Sequence, residues 1–114
     1  MSSHKLSHMN HLRNSFSKLL EAAKILGLSK TDLDSSSDLL KNHEFGLCLD
    51  TVATQLYENN IEISNDFYLL VKKIAFKLSL PNEVYSFLKE LIREESKISK
   101  EDFDQLTRIL DIQH

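Results

Sequence analysis

Phe45-Gly46-Leu47-Cys48-Leu49-Asp50-Thr51-Val52-Ala53-Thr54-Gln55-Leu56-Tyr57 is a long apolar stretch in this 114-residue chain, and its hydrophobic positions recur at helical spacing. Phe45, Leu49, Val52, Ala53, Leu56 and Tyr57 form one stripe, while Leu47 and Cys48 widen it beyond a single face. A helix wetted along one side does not need so wide a stripe, so the segment predicts a central helix near residues 44–59, packed on two sides. Leu39 and Leu40 extend the pattern upstream, with Ser37 as an expected N-cap and Asp38 favourable in the first turn. Gly46 costs about 1 kcal/mol of helix propensity relative to Ala. It either permits a close helix crossing or accompanies a break near His43.

Working outward, Leu6, Met9, Leu12, Phe16, Leu19 or Leu20, Ala23 and Leu26 step by three and four, which predicts a first helix ending before Gly27. Residues 28–37 are polar apart from Leu28 and Leu33 and read as a connection with at most a short turn from Lys30. Downstream, Asn59-Asn60 ends the central helix, and Ile61 and Ile63 anchor the following turn. Ser64 or Asn65 then caps a helix carrying Phe67, Leu70, Val71, Ile74 and Leu78. Pro81 suits the first position of a further helix lined by Val84, Phe87, Leu88, Leu91 and Ile92. Ser99 with Asp102 resembles a capping box and begins a last helix with Phe103, Leu106, Ile109 and Leu110 expected inward. No alternation of β-branched residues is bounded by Asn-Gly or Asp-Gly turns. The fold class expected is all-α, a compact bundle of about five helices spanning residues 1–114 as one domain.

Hydrophobic residues make up 41% of the chain, enough for one core, and only two Gly and one Pro interrupt it. No apolar run approaches the roughly 20 residues that span a bilayer, so no membrane partner is expected. The lone Cys48 cannot form an internal disulfide, and Met1-Ser2-Ser3-His4-Lys5 does not open a secretory apolar region. These features lead to the expectation of a cytoplasmic setting.

Catalytic patterns are incomplete. His43-Glu44 begins like a zinc-peptidase motif, but the second His is replaced by Leu47. His4, His8 and His11 would share one helix face at a spacing that holds a metal weakly. As a set at a chain terminus without acidic or Cys ligands they read as polar residues, and no metal or cofactor is expected. Cys48, between Leu47 and Leu49 and near only Asp50, lacks the base and positive surroundings of a nucleophile and reads as a small core residue. These observations do not predict an enzyme.

Charge is the strongest functional signal. Residues 1–30 carry five Lys/Arg and one Glu, residues 31–71 carry eight Asp/Glu against Lys41 alone, and residues 72–114 carry eight of each sign. A strongly negative surface steers a basic protein and repels nucleic acid. Either the acids gather into such a patch, in which Glu44, Asp50, Glu58, Glu62 and Asp66 form the core, or they are spread around two helices as solvated charge. Lys5, Arg13, Lys18 and Lys24 are thinly spaced on the first helix with no aromatic or Arg cluster, so direct nucleic-acid binding is not expected. Leu6, Met9, Leu12 and Phe16 give that helix enough apolar surface either for the core or for a homodimer seam.

The run Leu39-Leu40-Lys41-Asn42-His43-Glu44-Phe45-Gly46-Leu47-Cys48-Leu49-Asp50, continued by Val52 and Leu56-Tyr57-Glu58-Asn59-Asn60-Ile61-Glu62-Ile63-Ser64, resembles small bacterial immunity proteins of the MafI type. These are related in role to the immunity proteins of contact-dependent growth-inhibition systems. The shared features are a leucine pair, Asn-x-Glu-x-Gly-x-x-Leu-Asp in one helix, a Leu-Tyr-Glu end, and Ile-x-Ile-Ser entering the next. The resemblance covers about residues 37–80 and implies a helical protein that binds a cognate toxin C-terminal domain, commonly a nuclease, in the cytosol. It makes Glu44 and Asp50 candidate contact or helix-stabilising residues and Gly46 a packing position. The competing expectation is a small cytosolic helical adaptor or regulatory domain that binds some other protein.

Overall fold

The computed structural model describes residues 2–110, with side chains from residue 9 onward. Five α-helices follow one another: α1 (Ser2–Leu26), α2 (Lys30–Lys41), α3 (Phe45–Glu58), α4 (Asn65–Lys77) and α5 (Lys100–Ile109). Two 3-10 segments, Asn82–Val84 and Ser86–Leu91, lie between α4 and α5, and no strand occurs among the described residues. The chain is therefore an all-α bundle of the expected size. No described helix is long and apolar enough to cross a membrane.

α3 is the central element. Its Cys48, Leu49, Val52, Ala53 and Leu56 are buried, and it packs on α2, on α4 and on the second 3-10 segment. α1 closes the other side of the core against α2, α4 and α5. It buries Leu12, Phe16, Leu19, Ala22 and Ala23. The Leu12 and Phe16 pair that offered a dimer seam thus belongs to the core, while the side chain of Leu6 lies outside the described residues.

The polar connection expected over residues 28–37 is instead most of a helix. Ser29 caps α2 by accepting the Asp32 N–H, and Ser37 lies inside the helix rather than at its cap. Leu33, Ser36 and Leu40 fall at i, i+3 and i+7, so α2 does have a core face. Its middle member is a serine, and polarity there hid the period. Ser36 is fully buried, with its hydroxyl donating to the Asp32 carbonyl at 2.9 Å. The Cys48 thiol donates to the Ser36 carbonyl at 3.3 Å, so two small side chains meet where α2 crosses α3.

α1 to α4 all stop by the same device. The residues just past them, Gly27, His43, Asn60 and Ser79, adopt positive φ. The next amide then donates to a carbonyl five residues back: Leu28 to Ala23, Glu44 to Leu39, Ile61 to Leu56 and Leu80 to Ala75. Only one of the four positions is glycine. The break expected near His43 is this stop, and Gly46 has no part in it. A Cβ on Gly46 would meet only the Leu80 Cδ2 methyl at 3.9 Å, so no close crossing requires glycine.

Ser64 caps α4 through the Phe67 N–H, and Ser99 caps α5 through the Asp102 N–H, both as expected. Pro81 does not start an α-helix. It is extended, and the chain continues in the two 3-10 segments. Tyr85, Leu88 and Leu91 face inward at intervals of three, which suits three residues per turn. Phe103 is a further correction, since it is 48% exposed on α5 while Leu106 and Leu110 are buried.

The stops make a stability prediction. Left-handed backbone at a non-glycine residue costs about 1–2 kcal/mol, offset by the greater freedom of unfolded glycine. Ser79→Gly is expected to stabilise by about 0.5–1 kcal/mol and Ser79→Val to destabilise by at least as much. Gly46→Ala is expected to stabilise by about 1 kcal/mol or slightly less. Urea unfolding checks all three, and unchanged midpoints at Ser79 would refute the role given to the stop.

Candidate partner-binding surface

The outward face of α3 follows from its buried one. With Cys48, Leu49, Val52, Ala53 and Leu56 turned inward, helical geometry sends Leu47, Asp50, Thr54, Tyr57 and Glu58 to the opposite stripe. Leu47 is 52% exposed there, so the residue that widened the apolar pattern lies on solvent rather than in the core. Tyr57 is also exposed. Its ring sits edge-on against Phe87 at 5.1 Å, and its hydroxyl donates to Glu90 Oε1 at 2.9 Å. That hydrogen bond, and then the Glu90 charge, hold the phenol above its ordinary pKa. The ring is therefore fixed and neutral. α3 thus presents two apolar side chains among two carboxylates.

The five acidic candidates divide by position. Asp50 and Glu58 share the α3 ridge, both exposed. Glu44 is exposed one residue before α3 and makes no side-chain cap bond. Glu62 is half-buried between α3 and α4, where it accepts the Lys97 N–H at 2.8 Å and tethers a later loop. Asp66 is exposed in the first turn of α4, where it complements the helix dipole. Glu58 and Glu62 do not form a repelling helical pair, because α3 ends at Glu58. On α2, Asp34 pairs with Lys30 at 2.9 Å.

The surface of α4 carries the opposite charge. Leu69 and Phe76 form an exposed ridge, with Phe76 83% exposed, and Lys72, Lys73 and Lys77 are exposed on its flanks. Leu80 and Tyr85 complete an apolar hollow of about 480 Å³ beside Leu69, Phe76, Lys72 and Lys73. A second groove of about 600 Å³ runs between α1 and α4, lined by His11, Lys18, Glu21, Lys73 and Lys77 among others. The charges of residues 72–114 sum to zero, and the sequence signal for this segregation is the placement of three lysines within one helix beside Leu69 and Phe76.

The remaining chemical candidates are quiet. Among the described residues no three His, Cys, Asp or Glu side chains gather to hold a metal. His11 is exposed, and the side chains of His4 and His8 lie outside the described residues. Cys48 is buried in the core, and burial pushes its thiol up to about 11. No family model matches this chain, and no curated protein or solved structure shows significant similarity to it.

Cys48 carries a prediction of its own. With the folded pKa above the ordinary value of 9.0, the neutral thiol favours the fold fully below about pH 9. That contribution is lost as pH rises through about 11. At pH 8 only about one thiol in a thousand is ionised in the fold. Labelling by a thiol-reactive disulfide is expected to be slow and to track unfolding as urea is added. Fast labelling of the native protein would contradict the burial.

Proposed function

We propose that this chain is an immunity protein that binds and neutralises a cognate toxin domain, a nuclease, through the acidic outward face of α3. The observation that carries this reading is the composition of that face: Leu47 and Tyr57 exposed on one stripe with Asp50 and Glu58. A nuclease holds phosphates with basic residues, so carboxylates at this spacing complement such a surface and speed capture. Leu47 and the Phe87-braced Tyr57 supply the apolar anchors that slow release. The resemblance of residues 37–80 to MafI-type proteins supports the same reading, since that segment contains all of α3.

The adaptor reading draws on a different observation. Phe76 and its flanking lysines suit an acidic partner and do not suit a basic nuclease. It places the binding face on α4 rather than α3, so α3 and α4 variants separate the two readings.

Co-expression with a toxin domain encoded beside this chain is the direct test, with rescue of growth and a stable complex expected. Asp50→Lys with Glu58→Lys is expected to slow association about tenfold and flatten its salt dependence, because steering charge is removed. Glu94→Lys with Glu95→Lys is the control, both being exposed loop residues. Glu62 and Glu90 are left intact because each holds a hydrogen bond within the monomer. An unchanged association rate in the folded α3 variant would refute the electrostatic account, and failure of the wild-type chain to rescue growth would refute immunity.

A further inference from the structure

The two exposed ridges match each other. On α3, Leu47 and Tyr57 stand among Asp50 and Glu58; on α4, Leu69 and Phe76 stand among Lys72, Lys73 and Lys77. At about 1.5 Å per residue the apolar pairs are spaced about 15 Å and about 10 Å along their helices, so either ridge can span a two- to three-turn contact. Within one chain the ridges cannot meet, because α3 and α4 pack together while both ridges point to solvent. They do border a common surface. Leu80, part of the hollow beside Phe76, lies 3.9 Å from the Cβ position of Gly46, the residue before Leu47.

We propose that this surface binds a second copy of the chain, with the α3 ridge of each copy on the α4 ridge of the other. Charge selects the occupant. Three lysines around an apolar ridge call for an apolar ridge with carboxylates, and α3 supplies that composition in the same molecule. Pairing in both directions uses one face twice about a twofold axis, so the assembly closes at two and leaves no open end. Phe76, the most exposed of the large hydrophobic residues among those described, becomes the anchor, and the hollow formed with Leu80 and Tyr85 lies beside it. This seam differs from one on α1, whose Leu12 and Phe16 are committed to the core. A toxin on the α3 ridge would compete with the second copy, so association is tested with no toxin present.

The experiment is sedimentation velocity of the full chain at low salt over about 1–200 µM, the range of a modest interface. Wild type is expected to pass from monomer to dimer in that range, with the dissociation constant rising at least about tenfold at high salt. Phe76→Ser is expected to remain monomeric. So are two charge variants taken separately, Lys72→Glu with Lys73→Glu and Asp50→Lys with Glu58→Lys. Mixing these two in equal amounts is expected to restore a dimer containing one of each, because both directions of pairing then join opposite charges. Circular dichroism confirms that each variant is folded, and Thr107→Glu on α5 serves as a surface control. A wild-type chain that stays monomeric throughout would overturn the proposal and leave the α4 ridge to a different partner or to none. A dimer that survives Phe76→Ser and both charge variants, or a mixture that stays monomeric, would overturn it equally.

Discussion

The contact on which the rest of this bundle depends is the crossing of α2 over α3 at Ser36 and Cys48. Both side chains are small and fully buried, and the thiol donates to the Ser36 carbonyl at 3.3 Å. A larger residue at either place would hold the helices apart, since close-packed interiors do not absorb extra methylenes freely. The serine is tolerated because its hydroxyl returns to the Asp32 carbonyl within its own helix, which leaves no unpaired polar group in the core. A core serine and a core cysteine are thus the condition for placing a mostly polar helix against the central one.

That placement determines what α3 shows to solvent. With α2, α4 and the second 3-10 segment covering its other sides, one stripe remains, and it carries Leu47, Asp50, Tyr57 and Glu58. The repeated helix stop has a parallel effect on α4. Ser79 turns the chain so that Leu80 folds back toward the start of α3 and borders the hollow beside Phe76. The charges of the chain are then sorted by geometry rather than by sequence position. Acidic residues flank the α3 ridge, while α4 contributes Lys73 and Lys77 to a groove that also contains Lys18 of α1.

Much of this is legible in the sequence. The width of the apolar stripe marked α3 as central, and Gly27, Ser64 and Ser99 marked three helix ends by their capping chemistry. α2 was not legible, because its face is written with one serine where an apolar residue is expected. The 3-10 segments escaped because Leu88 and Leu91, three apart, satisfy an α-helix and a 3-10 helix equally. Leu47, Tyr57 and Phe103 read as inward from hydrophobicity, which is a one-way guide since apolar residues also occur on surfaces. For the candidate site, composition located the acids but not their grouping. Only helix geometry places Asp50 and Glu58 on one stripe and diverts Glu62 to a structural bond.

The close crossing of α2 and α3 is tested most directly by the stability of Ser36→Leu against Ser35→Leu, measured by urea unfolding monitored by circular dichroism. Ser35 is exposed next to it on the same helix, so both changes improve helix propensity alike and differ in the space they need and in the hydroxyl bond that Ser36 gives the Asp32 carbonyl. The account predicts a loss of about 2–3 kcal/mol for Ser36→Leu and a change within about 0.5 kcal/mol for Ser35→Leu. Equal midpoints for the two variants would contradict it, because α2 would then not be seated on α3 through Ser36.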